Sequence, residues 1–176
     1  MSKLTITQLK THLQLKTKEE LIKEIADICN TFDYVKDFYG VKILPDSSKE
    51  ILNKHKKIIL NEFFPSRGFT QSRLSVARKA VNDFKKVSIS AFDTADIMIY
   101  YVETGVLFTN EYGDIDEPFY CSMESMYESA LRFIIKENLK LEFEKRCKKI
   151  VDDTDGIGWG FHDTLGDTYY EYFGKD

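Results

Sequence analysis

Apolar side chains recur at intervals of three and four residues along most of this chain, the spacing of one face of an α-helix. Leu21, Ile25, Ile28 and Phe32 form the first such series, preceded by "TKEE", where Thr17 and Glu20 have the spacing of a capping box. "DYVKDFYGVKIL" reads as a second short helix or a continuation of the first, ending near Leu44-Pro45. "DSS", Asp46 to Ser48, supplies a cap for "KEILNKHKKIILNEFF", whose Ile51, His55, Ile58, Ile59 and Phe63 share one face before Pro65 stops the helix. "SRGFTQ" reads as a turn. Leu74, Ala77, Val81 and Phe84 then repeat the helical spacing.

The next segment differs in kind. "DTADIMIYYVETGVLF", capped by Ser90, is apolar on nearly every side around Ile97 to Val102, which predicts a central, buried helix. A strand is the competing reading of "IMIYYV". "TNEYGDIDEP" is the longest polar connection, and Pro118 opens a helix with Asp116 or Glu117 as its cap. In that helix Met123, Met126, Tyr127, Ala130, Leu131 and Ile134 face inward. Phe143, Cys147, Ile150 and Val151 mark another helix, and Leu165, Tyr169, Tyr172 and Phe173 the last.

About eight helices with short connections predict an all-α fold: a single domain over residues 1–176, built as an irregular antiparallel helical array. A short helical-repeat stack is a topological variant of that fold, although no fixed period is visible. With 9 Gly and 3 Pro among 176 residues, the chain is poor in the turn formers that an all-β protein needs. Cys29, Cys121 and Cys147 form no CxxC pair, so each is expected as a small buried hydrophobe rather than a disulfide or zinc ligand. "MSKLTITQLKTHLQLK" lacks the apolar core of a signal peptide, and no apolar run approaches the ~20 residues of a membrane helix. A cytoplasmic protein without a membrane partner is therefore expected.

Charge adds an asymmetry to this picture. Residues 49–86 carry ten Lys and Arg against three acids, whereas residues 87–138 carry two against ten. The basic segment holds Arg67, Arg73, Arg78 and Lys79, with Phe64 and Phe69 beside the turn, a combination that can bind nucleic acid. Internal pairing with the acidic segment would use the same charges equally well.

The chemistry-bearing stretch is "GIGWGFHDTLGD", Gly156 to Asp167, with four glycines, the only Trp, and a His-Asp pair. As a calcium loop it fails: with Gly156 at the sixth position, the first falls on Val151 and the twelfth on His162. As a nucleotide cradle it fails too, because "GIGWG" is not GxGxxG and follows a helix pattern. Trp159 and His162 remain as binding candidates. Asp163, Asp167 and Glu171 line one helix face and could join Asp152, Asp153 or Asp155 in a divalent-metal site. A solvated face competes with that reading. The glycines read as a helix stop at Gly156 and a tight turn, with Trp159 and Phe161 anchoring the corner in the core. Asp114 and Asp116 have DxD spacing, but capping explains Asp116.

The segments "NEFFPSRGF", "LSVARKAVNDFKK", "EYGDIDEPFYCSMESMYESAL" and "GIGWGFHDTLGDTYYEYF" together resemble an uncharacterised family of small bacterial proteins known only as a domain of unknown function. The likeness runs from "TKEELIKEI" to the C-terminus and implies one undivided, cytoplasmic, bacterial domain. It implies no activity, cofactor or catalytic residue. The expected function is a non-enzymatic interaction or adaptor module whose partner is another protein, with no cofactor. A nucleic-acid-associated regulator using residues 49–86 is the alternative, and a divalent-metal hydrolase on Asp163 and Asp167 comes third.

Overall fold

The computed structural model describes residues 3–44, 47–66 and 73–174. Among the described residues there are nine helices and no strand. They are α1 (Ile6–Gln14), α2 (Lys18–Thr31), α3 (Asp33–Ile43), α4 (Ser47–Phe63), α5 (Leu74–Val87), α6 (Ala91–Tyr112), α7 (Glu117–Lys136), α8 (Lys140–Asp152) and α9 (Phe161–Phe173). The ninth, beyond the eight expected, is α1. Its start is a capping box in which Thr5 and Gln8 bond each other's backbone N–H groups. "IMIYYV" is helical, so the strand reading of it is overturned.

Local chemistry sets the helix ends. Thr17 and Glu20 close the expected capping box on α2. Ser90 accepts from the Asp93 amide at the start of α6, and Asp116 accepts from the Phe119 amide at the start of α7, with Pro118 in its first turn. Asp46, proposed as a cap for α4, lies outside the described residues, as does most of the "SRGFTQ" turn.

Helix α6 is the axis of the packing. Ile97, Met98, Ile99, Tyr101 and Val102 are all buried, and α4, α5, α7 and α8 each lie against it. Helix α9 closes the far side against α7 and α8, while α3 packs on α4 and α5. One hydrophobic cluster runs from Val41 of α3 to Phe173 of α9. Phe63 sits at its aromatic heart, with edge or tilted contacts to Tyr101, Phe108 and Phe119.

The core accepts few polar groups, and these link helices. Asp96 of α6 takes hydrogen bonds from Lys56 of α4 at 2.6 Å and Arg146 of α8 at 2.6 Å. Arg146 also grips Glu103, about two turns further along α6, through two bonds of 2.9 and 2.8 Å. Burial alone would lower the Arg146 pKa; its bonds to Glu103 and Asp96 reverse that and raise it.

One expectation about burial fails, and one apolar face stays outside the core. Only Cys147 is a buried cysteine, its thiol pushed up to about 12 by burial; Cys29 is half-buried and Cys121 exposed. The Leu21, Ile25, Ile28 and Phe32 series does not enter the core, because α2 rests on α3 alone among the larger helix contacts and buries no residue.

Gly105 marks the closest approach of α6 and α7. A Cβ there would stand 2.1 Å from the Met123 sulfur, so the helices meet at this depth only because position 105 has no side chain. Ala at position 105 gains helix propensity but forces a fully buried Met123 out of its rotamer. We expect Gly105→Ala to cost about 1–2 kcal/mol net, read as a Tm several degrees lower. An unchanged Tm would show that Met123 swings clear without loss.

Candidate functional site

The Gly156–Asp167 stretch folds as a corner between α8 and α9. Gly156 at φ +79° and Gly160 at φ +68° adopt left-handed backbone that glycine takes without strain. Phe161 enters the core as expected and packs on Tyr120, with ring centroids 4.8 Å apart. Trp159 does not: it is 64% exposed. It also has φ +63°, a left-handed conformation that costs a residue with a Cβ about 1 kcal/mol or more. The physical reason is local, since the consecutive left-handed residues 159 and 160 turn the chain so that Phe161, not Trp159, faces the cluster.

His162 is held by the corner itself. The Thr154 hydroxyl, fully buried, donates its one proton to the Val151 carbonyl at 2.6 Å. The 3.0 Å contact to His162 Nδ1 is then donated by the ring, so that Nε2 is the nitrogen turned away from Thr154. That ring lines an open cleft of about 270 Å³ together with Lys148, Asp152, Asp163, Asp167 and Tyr170. Lys148 already bonds Asp152 at 2.9 Å, and that bond holds it charged. Asp163 and Asp167 do meet another acid across a cleft, but a lysine is bonded to it. Among the described residues no group of three or more His, Cys, Asp or Glu is placed to hold a metal. What the cleft offers is a mixed-charge surface with an imidazole.

The basic segment is largely committed inside the molecule. Arg73 makes a two-pronged pair with the buried Glu62, at 2.9 and 2.8 Å, and its hydrogen bonds hold the Glu62 pKa down. Arg78 crosses to α7, donating to the Ser122 carbonyl at 3.0 Å and to the Ser122 and Ser125 hydroxyls. Lys79 pairs with Asp83, which also takes Lys86 at 3.0 Å. Lys56 reaches Asp96 and Lys54 reaches Asp37. Lys49, Lys57 and Lys85 make no ion pair among the described residues. Arg67 and Phe69 lie outside the described residues.

Two features were not picked out as sites by residue pattern. His55, placed on the inward face of α4 by its spacing, is 7% exposed, and both ring nitrogens lack a hydrogen-bond partner. Its Nε2 lies 3.8 Å from an Asp37 oxygen, too far for a hydrogen bond, and the ring contacts a small cavity of about 150 Å³ bordered by Ile58, Val76 and Asp83. Burial pushes its pKa down against the pull of Asp37.

The second is the apolar face of α2. Ile22 is 58% and Phe32 52% exposed, with Ile25 and Ile28 between them also open to solvent. Phe32 approaches Tyr34, ring centroids 6.4 Å apart, and Tyr34 borders an apolar groove of about 270 Å³ with Val35 and Phe38 of α3 and Val87 of α5. Stripe and groove form a continuous apolar surface. The periodicity that announced the stripe could not tell which side of it would stay open.

Two predictions come from these sites. Replacing Trp159 with Gly removes the strained φ and should raise Tm slightly, by up to about 1 kcal/mol of stability less the added unfolded-state entropy; a lower Tm would mean that the ring makes stabilising contacts. His55 has a folded pKa below its unfolded value of about 6.5. Its contribution is therefore complete above that pH and is lost as pH falls below it, at a slope of at most about 1.4 kcal/mol per pH unit. Urea melts between pH 7.5 and 5 should show that slope in the native chain and its absence in His55→Phe, and parallel curves would exonerate His55.

No curated protein and no solved structure matches the chain. A family model does, over residues 1–173, which takes in α1 and the corner alike. The chain belongs to the family of unknown function DUF6155.

Proposed function

We propose that this protein is a non-enzymatic interaction module whose docking surface is the apolar face of α2 and the groove beside it, and whose ligand is an amphipathic helix of a protein. One observation carries the reading: α2 is capped, 14 residues long and apolar along one face, yet buries none of its residues. A helix of that kind normally owes its stability to a partner on its apolar face. Leu21, Ile25, Ile28 and Phe32 follow the alternating four-three-four spacing that a facing helix reads as a seam.

The remaining candidates support this choice by how they are used. Arg73, Arg78 and Lys79 serve internal pairs, and in the α8–α9 cleft Lys148 is bonded to Asp152. We take residues 1–176 as one domain with α1 and α2 as an arm on its core. Among the described residues no helix is long and apolar enough to cross a membrane. A cytoplasmic setting agrees with three free cysteines, one of them exposed.

A photo-crosslinking amino acid at position 25, compared with one at Lys23 on the opposite face of α2, tests the surface in cells. We expect adducts of defined mass from position 25 and not from position 23. Equal labelling from both, or none from 25, would overturn the proposal.

A further inference from the structure

The α2 face has a chemistry that selects its occupant. Residues 3–18 carry Lys3, Lys10, Lys16 and Lys18 and no acid, whereas residues 19–37 carry six acids against Lys23 and Lys36. Within α2 itself the first turn sets Glu19 and Glu20 beside Lys18, and the last turn carries no charge. Internally only part of this is used: Lys16 pairs with Glu24, and Asp37 with Lys54. Lys18 stands at the N-terminal end of the apolar stripe, seven residues before Ile25 and so on its face, and Asp33 follows Phe32 at the other end.

Resting on the docking surface proposed above, we infer that the helix it takes is α2 of a second copy of this chain, laid antiparallel about a two-fold axis near Ile25. The parallel orientation meets a physical penalty. It sets Lys18 on Lys18 and Asp33 on Asp33 at the two ends of the stripe, with the helix dipoles aligned; the antiparallel pair reverses both. In that arrangement Lys18 of each copy comes opposite the Phe32–Asp33 end of the other, and Ile22 comes opposite Ile28. A two-fold contact also buries the same residues on both copies, which is what a single self-complementary stripe needs.

The area reaches the lower bound of a specific interface. The exposed parts of Ile22, Ile25, Ile28, Phe32 and Tyr34 amount to roughly 500 Å² per copy, so covering all of them on two copies buries at most about 1,000 Å². An interface at that bound predicts a dimer that dissociates on dilution rather than an obligate one.

Sedimentation velocity of the purified full chain across a wide concentration range tests this. We expect a monomer–dimer equilibrium in the native chain. Ile25→Asp with Ile28→Asp should leave only monomer at every concentration, with an unchanged helical circular dichroism spectrum because neither residue is in the core. Lys18→Glu or Asp33→Lys alone should weaken dimerisation about tenfold, and the two together should restore it. A chain that stays monomeric throughout, or a dimer indifferent to Ile25→Asp and Ile28→Asp, overturns the second-copy inference. Position-25 adducts with a different protein from such a monomeric chain would leave the docking surface standing; no adducts at all would remove both.

Discussion

A helix that is apolar on nearly every side is stable in water only when neighbours cover every side, and α6 imposes that requirement on the rest of this chain. Four helices meet it. Helices α4, α5, α7 and α8 lie around α6, and behind them α3 packs on α4 and α5, and α9 on α7 and α8. Close packing follows from small residues where helices cross, above all Gly105 against Met123. The core runs from Val41 to Phe173 and draws no residue from α1 or α2, although Phe92, Leu107 and Tyr112 of α6 stay open to solvent. The arm lies outside that core.

Surrounding an apolar axis leaves a problem of register, since hydrophobic contact is non-directional and helices can slide along one another. The half-buried charges supply direction. Asp96 joins α6 to α4 through Lys56 and to α8 through Arg146, while Arg146 holds a second point on α6 at Glu103. Arg78 pins α5 to α7 at Ser122, and the Tyr101 hydroxyl meets the same serine at 2.8 Å. Such links add little net stability, because desolvation offsets much of the Coulomb gain, but each is satisfied in one register only. This is why the opposed charges of the second and third quarters of the chain are partly consumed inside it. The acids that neutralise them come from α3, α4 and α5 as well as from α6.

The all-helical architecture and most helix ends were legible because they rest on short-range chemistry: Thr17 with Glu20, Ser90, Asp116 and Pro118 act within one turn of chain. The inward faces of α5 to α9 were legible as well, since their stripes had a partner. The stripe of α2 has the same spacing as that of α7, and nothing local distinguishes a face with a neighbour from one without. Trp159 failed for a related reason. Its large apolar ring suggested burial, but the two left-handed residues at the corner decide its direction, and a left-handed Trp has no sequence signature. His55 was placed on the right face, yet its missing hydrogen-bond partners depend on where Asp37 of α3 stops, 3.8 Å away. The nucleic-acid reading grew from residue counts, which register charge but not whether Glu62 or Asp83 already answers it.

A folded chain can keep an apolar face open only if the face does not drive it to aggregate, and the arm has the features that limit it. The stripe is short, about four helical turns, and the first turn of the helix carrying it holds Lys18, Glu19 and Glu20, which keep that end hydrated. A two-fold contact closes on itself and leaves no second copy of the patch free, whereas a head-to-tail contact would propagate. Two-fold pairing of the kind proposed for the arm is therefore finite.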